Sequence, residues 1–236
     1  MDIHSHYPTA GYHTIRGFIL QTTGWLVSPI SVHRSMRRLK IHSCIRKKHY
    51  HFITAGATNK KFPNILNRDF RSSSPATKIA TDFTYIQYKN KWYYLSCFLD
   101  LFNNEILEWE LQSECNNHLV IRPARRLLER LKQDTGNQIL LHSDQGTQYQ
   151  SAGYSSLLAR NNVIQSMSRA GTPRDNAVIE SFLGRFKECL KHEFKLKYSE
   201  DIRKTVEAAV KYFNTQRPVA KLKYKTPEQF RIAQGF

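Results

Sequence analysis

Three carboxylate residues occupy positions that could serve phosphoryl-transfer chemistry. Asp82 falls inside a β-rich run, Asp144 directly follows an apolar run, and Glu180 borders the apolar face of an amphipathic helical segment. A strand interior disfavours an acidic residue unless the residue faces solvent or has a function. The carboxyl ends of strands, where Asp144 would lie, often bind ligands in α/β folds.

Convergence of these three side chains would require a cation. Two unit negative charges ~4 Å apart repel by about 4 kcal/mol at an effective dielectric constant near 20. Hard oxygen ligands favour Mg²⁺ or Mn²⁺ over zinc, and two such ions ~3.5–4 Å apart support in-line phosphoryl transfer. From the residues alone, ordinary solvated surface acids are the more frequent case, and both interpretations stay open at this point.

The elements that must position these carboxylates can be predicted from periodicity. Three β-rich runs separated by short turns predict an antiparallel meander. Apolar spacing then predicts alternating helices and short strands, followed by C-terminal helices. The predicted strands are 78–88, 92–101, 105–111, 138–141 and 163–167, and the predicted helices are 118–132, one ending near residue 194, and 199–213. This order is that of a ribonuclease-H-like α/β domain.

The charge of the chain favours a polyanionic partner. Its 236 residues carry 36 Lys/Arg and 19 Asp/Glu, a formal net charge of +17. Such a field suits nucleic acid first and an anionic membrane surface second. Twelve of the basic residues and only two of the acidic ones lie in residues 1–77. We therefore predict that this part of the chain binds the nucleic-acid backbone.

Two helix-sized segments open the chain, at 13–22 and from Pro29 onward, and resemble a helix-turn-helix module. A small helical hairpin with a solvated basic face fits the pattern equally well. The second helix has a basic face formed by Arg34, Arg37, Arg38 and Lys40. We therefore predict a DNA-binding module at 1–48, a basic linker at 49–77 and a catalytic core at 78–236.

Cysteine and histidine usage favours neither a disulfide framework nor a zinc site. The four cysteines are widely spaced, which is typical of reduced thiols in a cytoplasmic protein. Seven of the ten histidines lie in residues 1–51, but paired zinc-ligand spacing is missing. No apolar run of about 18 residues and no signal peptide is recognisable. We expect a bacterial cytoplasmic protein, associated with the nucleoid and not with a membrane.

Five short phrases resemble the catalytic part of insertion-sequence transposases of the IS-three (OrfB) family, which have a retroviral-integrase-like core. In addition, 35 residues separate Asp144 from Glu180, which matches the family's D, D, 35, E pattern. Residues 11–15 and the helices after them resemble the family's helix-turn-helix segment. The five phrases are ATDFTYI (80–86), HSDQGTQY (142–149), SMSR (166–169), DNAVIESF (175–182) and FNTQRP (213–218).

This resemblance implies catalytic and metal-binding roles for Asp82, Asp144 and Glu180. It implies two Mg²⁺ ions, for which Mn²⁺ can substitute, cleavage at the ends of a DNA element and strand transfer into target DNA. The implied partners are double-stranded DNA, further copies of the chain on that DNA, and the product of an upstream reading frame. Lys187 would contact DNA near the scissile phosphate. His142 and Asn176 would support the metal-binding residues from behind. For His142, interaction with DNA and a purely structural role in the core are alternatives.

The sequence also departs from the family pattern. We expect the family's further N-terminal helix-turn-helix and coiled coil to be missing, and Val219 stands where a histidine usually follows Arg-Pro. Thr172-Pro173-Arg174 replaces the usual Asn-Cys-Tyr, which raises the question of a decaying copy. Asp175 is predicted to cap the following helix, alone or in a capping box with Thr172. The alternative functions are a catalytically inactive DNA-binding regulatory fragment and a ribonuclease H.

Overall fold

The structure, a computed structural model, describes residues 3–44, 61–131 and 138–236. By contacts the chain divides into two compact units, one formed by the described parts of His49–Leu183 and one by those of Met1–Lys48 and Gly184–Phe236. The elements, in chain order, are α1 (Ile3–His6), α2 (Tyr12–Thr23), α3 (Pro29–Arg38), β1 (Lys78–Tyr88), β2 (Lys91–Asp100), β3 (Ile106–Gln112), α4 (His118–Leu131), β4 (Leu140–Ser143), α5 (Ala152–Arg160), β5 (Ile164–Met167), α6 (Ala177–His192), α7 (Ile202–Thr215) and α8 (Pro227–Ala233).

The unit His49–Leu183 is built on a five-stranded sheet of order β3-β2-β1-β4-β5. β1, β2 and β3 are antiparallel neighbours, whereas β4 and β5 run parallel to β1. Lys89 and Asn90 join β1 to β2 with φ angles of 45° and 62°. A two-residue turn with positive φ at both positions matches the twist of a β-hairpin. The predicted meander and the two predicted short strands are confirmed, and the structure shows that these two strands are parallel to β1.

One face of this sheet carries the hydrophobic core, because α4 and α5 pack on it. Ile79 and Phe98 are fully buried beneath these helices, together with Leu141 and Met167 of the parallel strands. Arg126 fixes α4 to β3, donating to Glu108 at 3.1 Å and to Glu110 at 2.8 Å. Side chains alternate between the two faces of a strand, so the neighbouring positions face the other side. That other face carries the polar residues described below.

The predicted linker, residues 49–77, is partly outside the described residues. Its described portion, from residue 61, packs against the sheet. Leu66 is buried, Phe62 packs on the core cluster, and the carbonyl of Pro63 accepts the Met167 amide at 3.3 Å. Residues 61–77 therefore belong to the sheet unit.

In the second unit, the N-terminal helices pack with the C-terminal part of the chain. The Tyr7 ring stacks on Phe18 with centroids 4.1 Å apart and on Tyr212 of α7 at 5.6 Å. Gly17 of α2 lies against Pro218, where an added Cβ would come within 2.6 Å of the proline Cβ. Glycine is thus required for this close approach. The contacts consequently group Gly184–Phe236 with the N-terminal helices, which differs from the predicted division into 1–48 and 78–236.

The helices of the predicted DNA-binding module are present, as α2 and α3. Within α3, Val32 is buried and most other residues are exposed. No helix in the described parts of the chain is both long and apolar enough to cross a membrane.

Candidate active site

Asp82 lies in β1, and Asp144 directly follows the end of β4, the parallel neighbour of β1. Ala80 of β1 is in register with His142 of β4, and each aspartate follows two residues later. Because side chains alternate, both carboxylates are on the same face as Ala80 and His142. Neighbouring strands are about 4.8 Å apart, so the sheet brings the two aspartates side by side on the face opposite the α4–α5 core.

The pKa of the buried Tyr149 phenol is affected by both aspartates. Burial is the main cause that raises the pKa of Tyr149 well above its usual value, and the charges of Asp82 and Asp144 raise it further. The Tyr149 hydroxyl lies 3.3 Å from the Thr81 hydroxyl. A neutral phenol therefore lies close to both aspartates. The Cys97 thiol, which pairs with Asp82 across β1 and β2, is also kept neutral, because burial and the Asp82 charge raise its pKa.

Asp144 is half-buried and held by the turn that follows it. Its Oδ1 accepts the Gly146 amide at 2.9 Å. Burial raises the pKa of Asp144, and the Gly146 hydrogen bond partly offsets that increase. A Cβ on Gly146 would approach Asp144 Oδ1 to 3.0 Å and the Tyr149 ring to 3.4 Å. A side chain at residue 146 would therefore displace the carboxylate.

His142 connects β4 to the segment that leads into α6. Its Nε2 donates to the carbonyl of Asp175 at 3.0 Å, and its Nδ1 lies 2.8 Å from Ser166 Oγ. Ser166 Oγ already accepts the amides of Ile65 and Leu66, so its proton is directed to Nδ1. Burial lowers the pKa of His142. The histidine is therefore neutral with its proton on Nε2, and it is fully buried.

Asp175 anchors the same segment from its other side. Its fully buried carboxylate accepts Arg169 Nε and Nη2, both at 2.8 Å, Arg68 Nε at 2.7 Å and Asn64 Nδ2 at 2.8 Å. The predicted capping role of Asp175 is wrong, since these groups use both carboxylate oxygens. The predicted capping box is also not formed, because the Thr172 side chain makes no cap hydrogen bond. The buried carboxylate is held instead by two long-range donors, Arg68 and Asn64, and by the nearby Arg169.

Glu180 lies on α6, one helical turn after Asn176. Glu180 is exposed, whereas its neighbour Ile179 is fully buried, so the helix docks through its apolar stripe and leaves the carboxylate at the edge. Asn176 is buried, and neither of its amide atoms has a hydrogen-bond partner among the described residues. Lys187 is half-buried, seven residues or about two turns along α6 from Glu180.

The structure thus brings Asp82 and Asp144 together and places Glu180 on the adjoining helix. Among residues 3–44, 61–131 and 138–236, however, no three His, Cys, Asp or Glu side chains are grouped closely enough to hold a metal ion. The remaining predicted DNA-binding residues lie elsewhere, exposed on α3 or just after it. They are Arg34, Arg37, Arg38 and Lys40.

The sequence analysis did not assign four residues of the site, Tyr149, Gly146, Arg68 and Asn64. Tyr149 and Gly146 lie within the phrase HSDQGTQY, so their proximity to Asp144 in the chain was a usable signal. Arg68 and Asn64 gave no such signal, because they are more than 100 residues from Asp175 in sequence. Only the fold shows that they anchor the segment before Glu180.

Comparison with known proteins identifies the class. Two models of the integrase core domain match the chain, at residues 72–173 and 161–227. Among solved structures, the integrase catalytic core domain of HTLV-2 in complex with magnesium (trimeric form) has a TM-score of 0.57 and 16% identity, and the match covers 68% of this chain and 99% of that chain. The sheet unit therefore has the ribonuclease-H-like fold of integrase cores, as predicted.

Relatives at higher identity define the family. A protein of Escherichia coli K12 assigned as transposase InsK of insertion sequence element IS150 is 32% identical over 235 residues, covering 97% of this chain and 79% of that protein. A transposase-like protein of Haemophilus influenzae Rd is 38% identical over 168 residues, covering 71% of this chain and 76% of that protein. The chain belongs to the insertion-sequence transposases of the IS3 family, and its function lies in DNA transposition and recombination.

Proposed function

We propose that Asp82, Asp144 and Glu180 form the metal-binding catalytic triad of an enzyme that cleaves the ends of a DNA element and joins them to target DNA. The observation that carries this proposal is the register of β1 and β4, which sets Asp82 and Asp144 side by side on the polar face. The His142 bond to the Asp175 carbonyl supports it, because this bond fixes the start of the helix that carries Glu180.

The donor set fits Mg²⁺, with Mn²⁺ as a substitute, because its groups are carboxylate oxygens and the imidazole of His142 is already occupied. Two such ions would be held by the three carboxylates. When bound, they would activate a water or a 3′-hydroxyl and stabilise the leaving oxygen. The magnesium in the HTLV-2 integrase core structure is consistent with this choice.

The protein's own residues would prepare this site. Gly146 holds Asp144 in one orientation through its amide, and neutral His142 contributes no charge that would compete with a cation. Lys187, on α6 beyond Glu180, would bind a phosphate of the DNA end. Asn176 would support the carboxylates from behind, since its buried amide retains unused hydrogen-bonding capacity.

Double-stranded DNA, both element ends and target, is the proposed substrate, and the net charge of +17 suits it. The exposed basic residues of α3 would bind the phosphates of the DNA backbone. The chain would act as an oligomer on DNA at the bacterial nucleoid, with the upstream-frame product as a further partner. These proposals rest on charge, exposure and family membership.

The test is an end-cleavage and strand-transfer assay with terminal-repeat DNA and Mg²⁺, with and without the upstream-frame product. Glu180→Gln should reduce product formation by at least 10³-fold while DNA affinity changes less than threefold, because the substitution removes the proposed metal-binding charge and keeps the size of the side chain. Glu207→Gln, an exposed position on α7, makes the same chemical change and should leave activity intact. Equal activity of Glu180→Gln and the unaltered protein would refute the triad. If the unaltered chain binds DNA and forms no product in either condition, it is a regulatory fragment instead.

A further inference from the structure

Two arginine side chains, Arg68 and Arg169, converge on the buried Asp175 carboxylate and remain half-exposed themselves. Arg68 Nε donates to Asp175 Oδ1 at 2.7 Å. Arg169 donates to the same oxygen through Nη2 and to Oδ2 through Nε, both at 2.8 Å. The arginine side chains are 43% and 54% exposed, whereas that of Asp175 is 0% exposed. Arginine is always charged in proteins, so a single carboxylate neutralises only one of two neighbouring guanidinium groups.

The loop that carries Arg68 is fixed by hydrogen bonds of its own. Ser166 Oγ accepts two backbone amides of this loop at 2.9 and 3.1 Å, and Asn64 donates to Asp175 at 2.8 Å. Among the described residues, Arg68 is bonded through Nε alone, so its two Nη groups can donate to an external acceptor. A side chain that is held in place in advance loses little conformational entropy when it binds a ligand.

This arginine pair lies beside the loop that carries Asp144. Gln145, the next residue, donates through Nε2 to the carbonyl of Ser168 at 2.9 Å. Arg169 directly follows Ser168, and its amide donates to Asp175 Oδ2 at 3.2 Å. The arginine pair is therefore next to the carboxyl end of β4, from which Asp144 emerges.

The two segments that meet at Asp175 are cationic. Residues 61–77 contain three basic residues and one acidic residue, Asp69, and residues 168–176 contain two basic residues and Asp175. Asp69 is bonded to Lys78 at 2.6 Å, and Asp175 is buried beneath the arginine pair. Both acids of these segments thus already have cationic partners, so the charge that remains exposed is positive and suits an anion.

We propose that Arg68 and Arg169 bind the phosphate backbone of the DNA next to the carboxylates. The planar guanidinium group matches the geometry of a phosphate, and the buried Asp175 carboxylate orients two such groups at one place. Contacts of this kind position DNA without reading its base sequence. The inference rests on the proposed function, because it takes DNA as the substrate of this site. Asp175 then has a second role, which is to orient the two phosphate-binding side chains.

Binding of the full chain to a labelled duplex of about 20 base pairs and arbitrary sequence, without Mg²⁺, tests the proposal. Arg68→Gln should lower the slope of log affinity against log salt by about 0.9 and weaken binding about eightfold at about 0.1 M salt, because one phosphate contact is lost. Arg125→Gln is the matched control, an exposed arginine on α4, and should change neither quantity.

Urea denaturation of the same variants distinguishes DNA binding from a purely structural role. If the arginine pair only anchors Asp175, Arg68→Gln lowers the urea midpoint but has the salt slope of the unaltered protein. That result would overturn the proposal. A chain that binds no duplex at all would refute DNA as the substrate as well, whereas an unchanged slope with intact duplex binding refutes only the role of the arginine pair.

A second measurement uses the unaltered chain and does not require a variant to fold. Phenylglyoxal modifies accessible guanidinium groups, and mass spectrometry locates the modified residues. Bound duplex should protect Arg68 and Arg169 from the reagent, while Arg125 should react equally with and without DNA. Equal modification of Arg68 in the presence and absence of saturating duplex would contradict the proposed contact.

Discussion

Asp175 offers the sharpest test of how the site is held in place, and the substitution to examine is Asp175→Asn. The carboxylate is fully buried and accepts four side-chain hydrogen bonds of 2.7–2.8 Å, from Arg169, Arg68 and Asn64. Asparagine keeps the shape but supplies a single acceptor oxygen and places an NH₂ group against cationic donors. The segment before α6 should therefore lose most of its anchoring.

The size of the effect follows from these contacts. Removing one partner of a buried ion pair typically costs 3–5 kcal/mol. Here the two arginine side chains are 43% and 54% exposed, so water can solvate them again and the electrostatic part must be discounted. We expect the free energy of unfolding of the sheet unit to fall by about 2–3 kcal/mol at neutral pH.

The effect should depend on pH with a definite sign. Hydrogen bonding from Arg169 is the largest cause that lowers the pKa of Asp175, and Arg68 lowers it further. A carboxyl whose pKa is lower in the folded state stabilises the fold above its unfolded-state pKa, about 3.9. That stabilisation is lost as pH falls through the lower, folded-state value. The difference between the two proteins should be constant from pH 5 to 8 and narrow below about pH 4.

Urea denaturation between pH 3 and pH 8 measures this difference. Asp201→Asn is the matched control, because Asp201 is exposed and caps α7 through the amides of Arg203 and Lys204. Asparagine caps helices about as well as aspartate, so this variant should differ by less than about 0.5 kcal/mol. A loss below about 0.5 kcal/mol in Asp175→Asn, or a larger loss that persists unchanged to pH 3, would refute the anchoring role.

The remaining predictions concern the carboxylates themselves. Asp144→Asn should raise the melting temperature at pH 7, by a few degrees in a thermal scan, while abolishing Mg²⁺-dependent strand transfer. Burial raises the pKa of Asp144, so its stabilising contribution is complete below the unfolded-state pKa and is lost as pH rises through the folded-state value. The gain in melting temperature should therefore vanish near pH 3, and a lower melting temperature at pH 7 would contradict this account. Gly146→Ala should lower strand transfer by at least tenfold with little change in the melting temperature, because the added Cβ pushes on Asp144 Oδ1. Full activity of Gly146→Ala would show that the carboxylate has freedom to move.

Much of the sheet unit could be predicted from the sequence because its signals are local. The alternating pattern and turn residues give β1, β2 and β3 within a residue or two, and the spacing of apolar residues gives α4. The side-by-side arrangement of Asp82 and Asp144 was implied by the family resemblance and follows in the structure from the β1–β4 register. The register of β1 and β4 depends on pairing between segments about 60 residues apart. The periodicity of a segment does not show with which distant segment it pairs.

Long-range contacts explain what the sequence did not predict. A turn-rich, basic composition suggested a linker for residues 61–77, yet Ser166 accepts two amides of this segment and Arg68 reaches Asp175. Similarly, the C-terminal helices looked like a continuation of the core. Their grouping with the N-terminal helices rests on contacts such as that of Gly17 with Pro218 and that of Tyr7 with Tyr212. These partners are about 200 positions apart, so local sequence patterns do not indicate the pairing.

The polar face of the sheet shows why these structural residues matter for chemistry. Three successive strands carry one row, Ala80, His142 and Ser166, and two residues later a second row, Asp82, Asp144 and Ser168. In the first row, both ring nitrogens of His142 already have hydrogen-bond partners within the protein. The second row contains the carboxylates of Asp82 and Asp144 at the edge of the sheet, where repulsion between the two charges lowers the stability of the fold. Each of these carboxylates is oriented by a backbone amide, since Asp82 accepts the amide of Phe83 and Asp144 accepts that of Gly146.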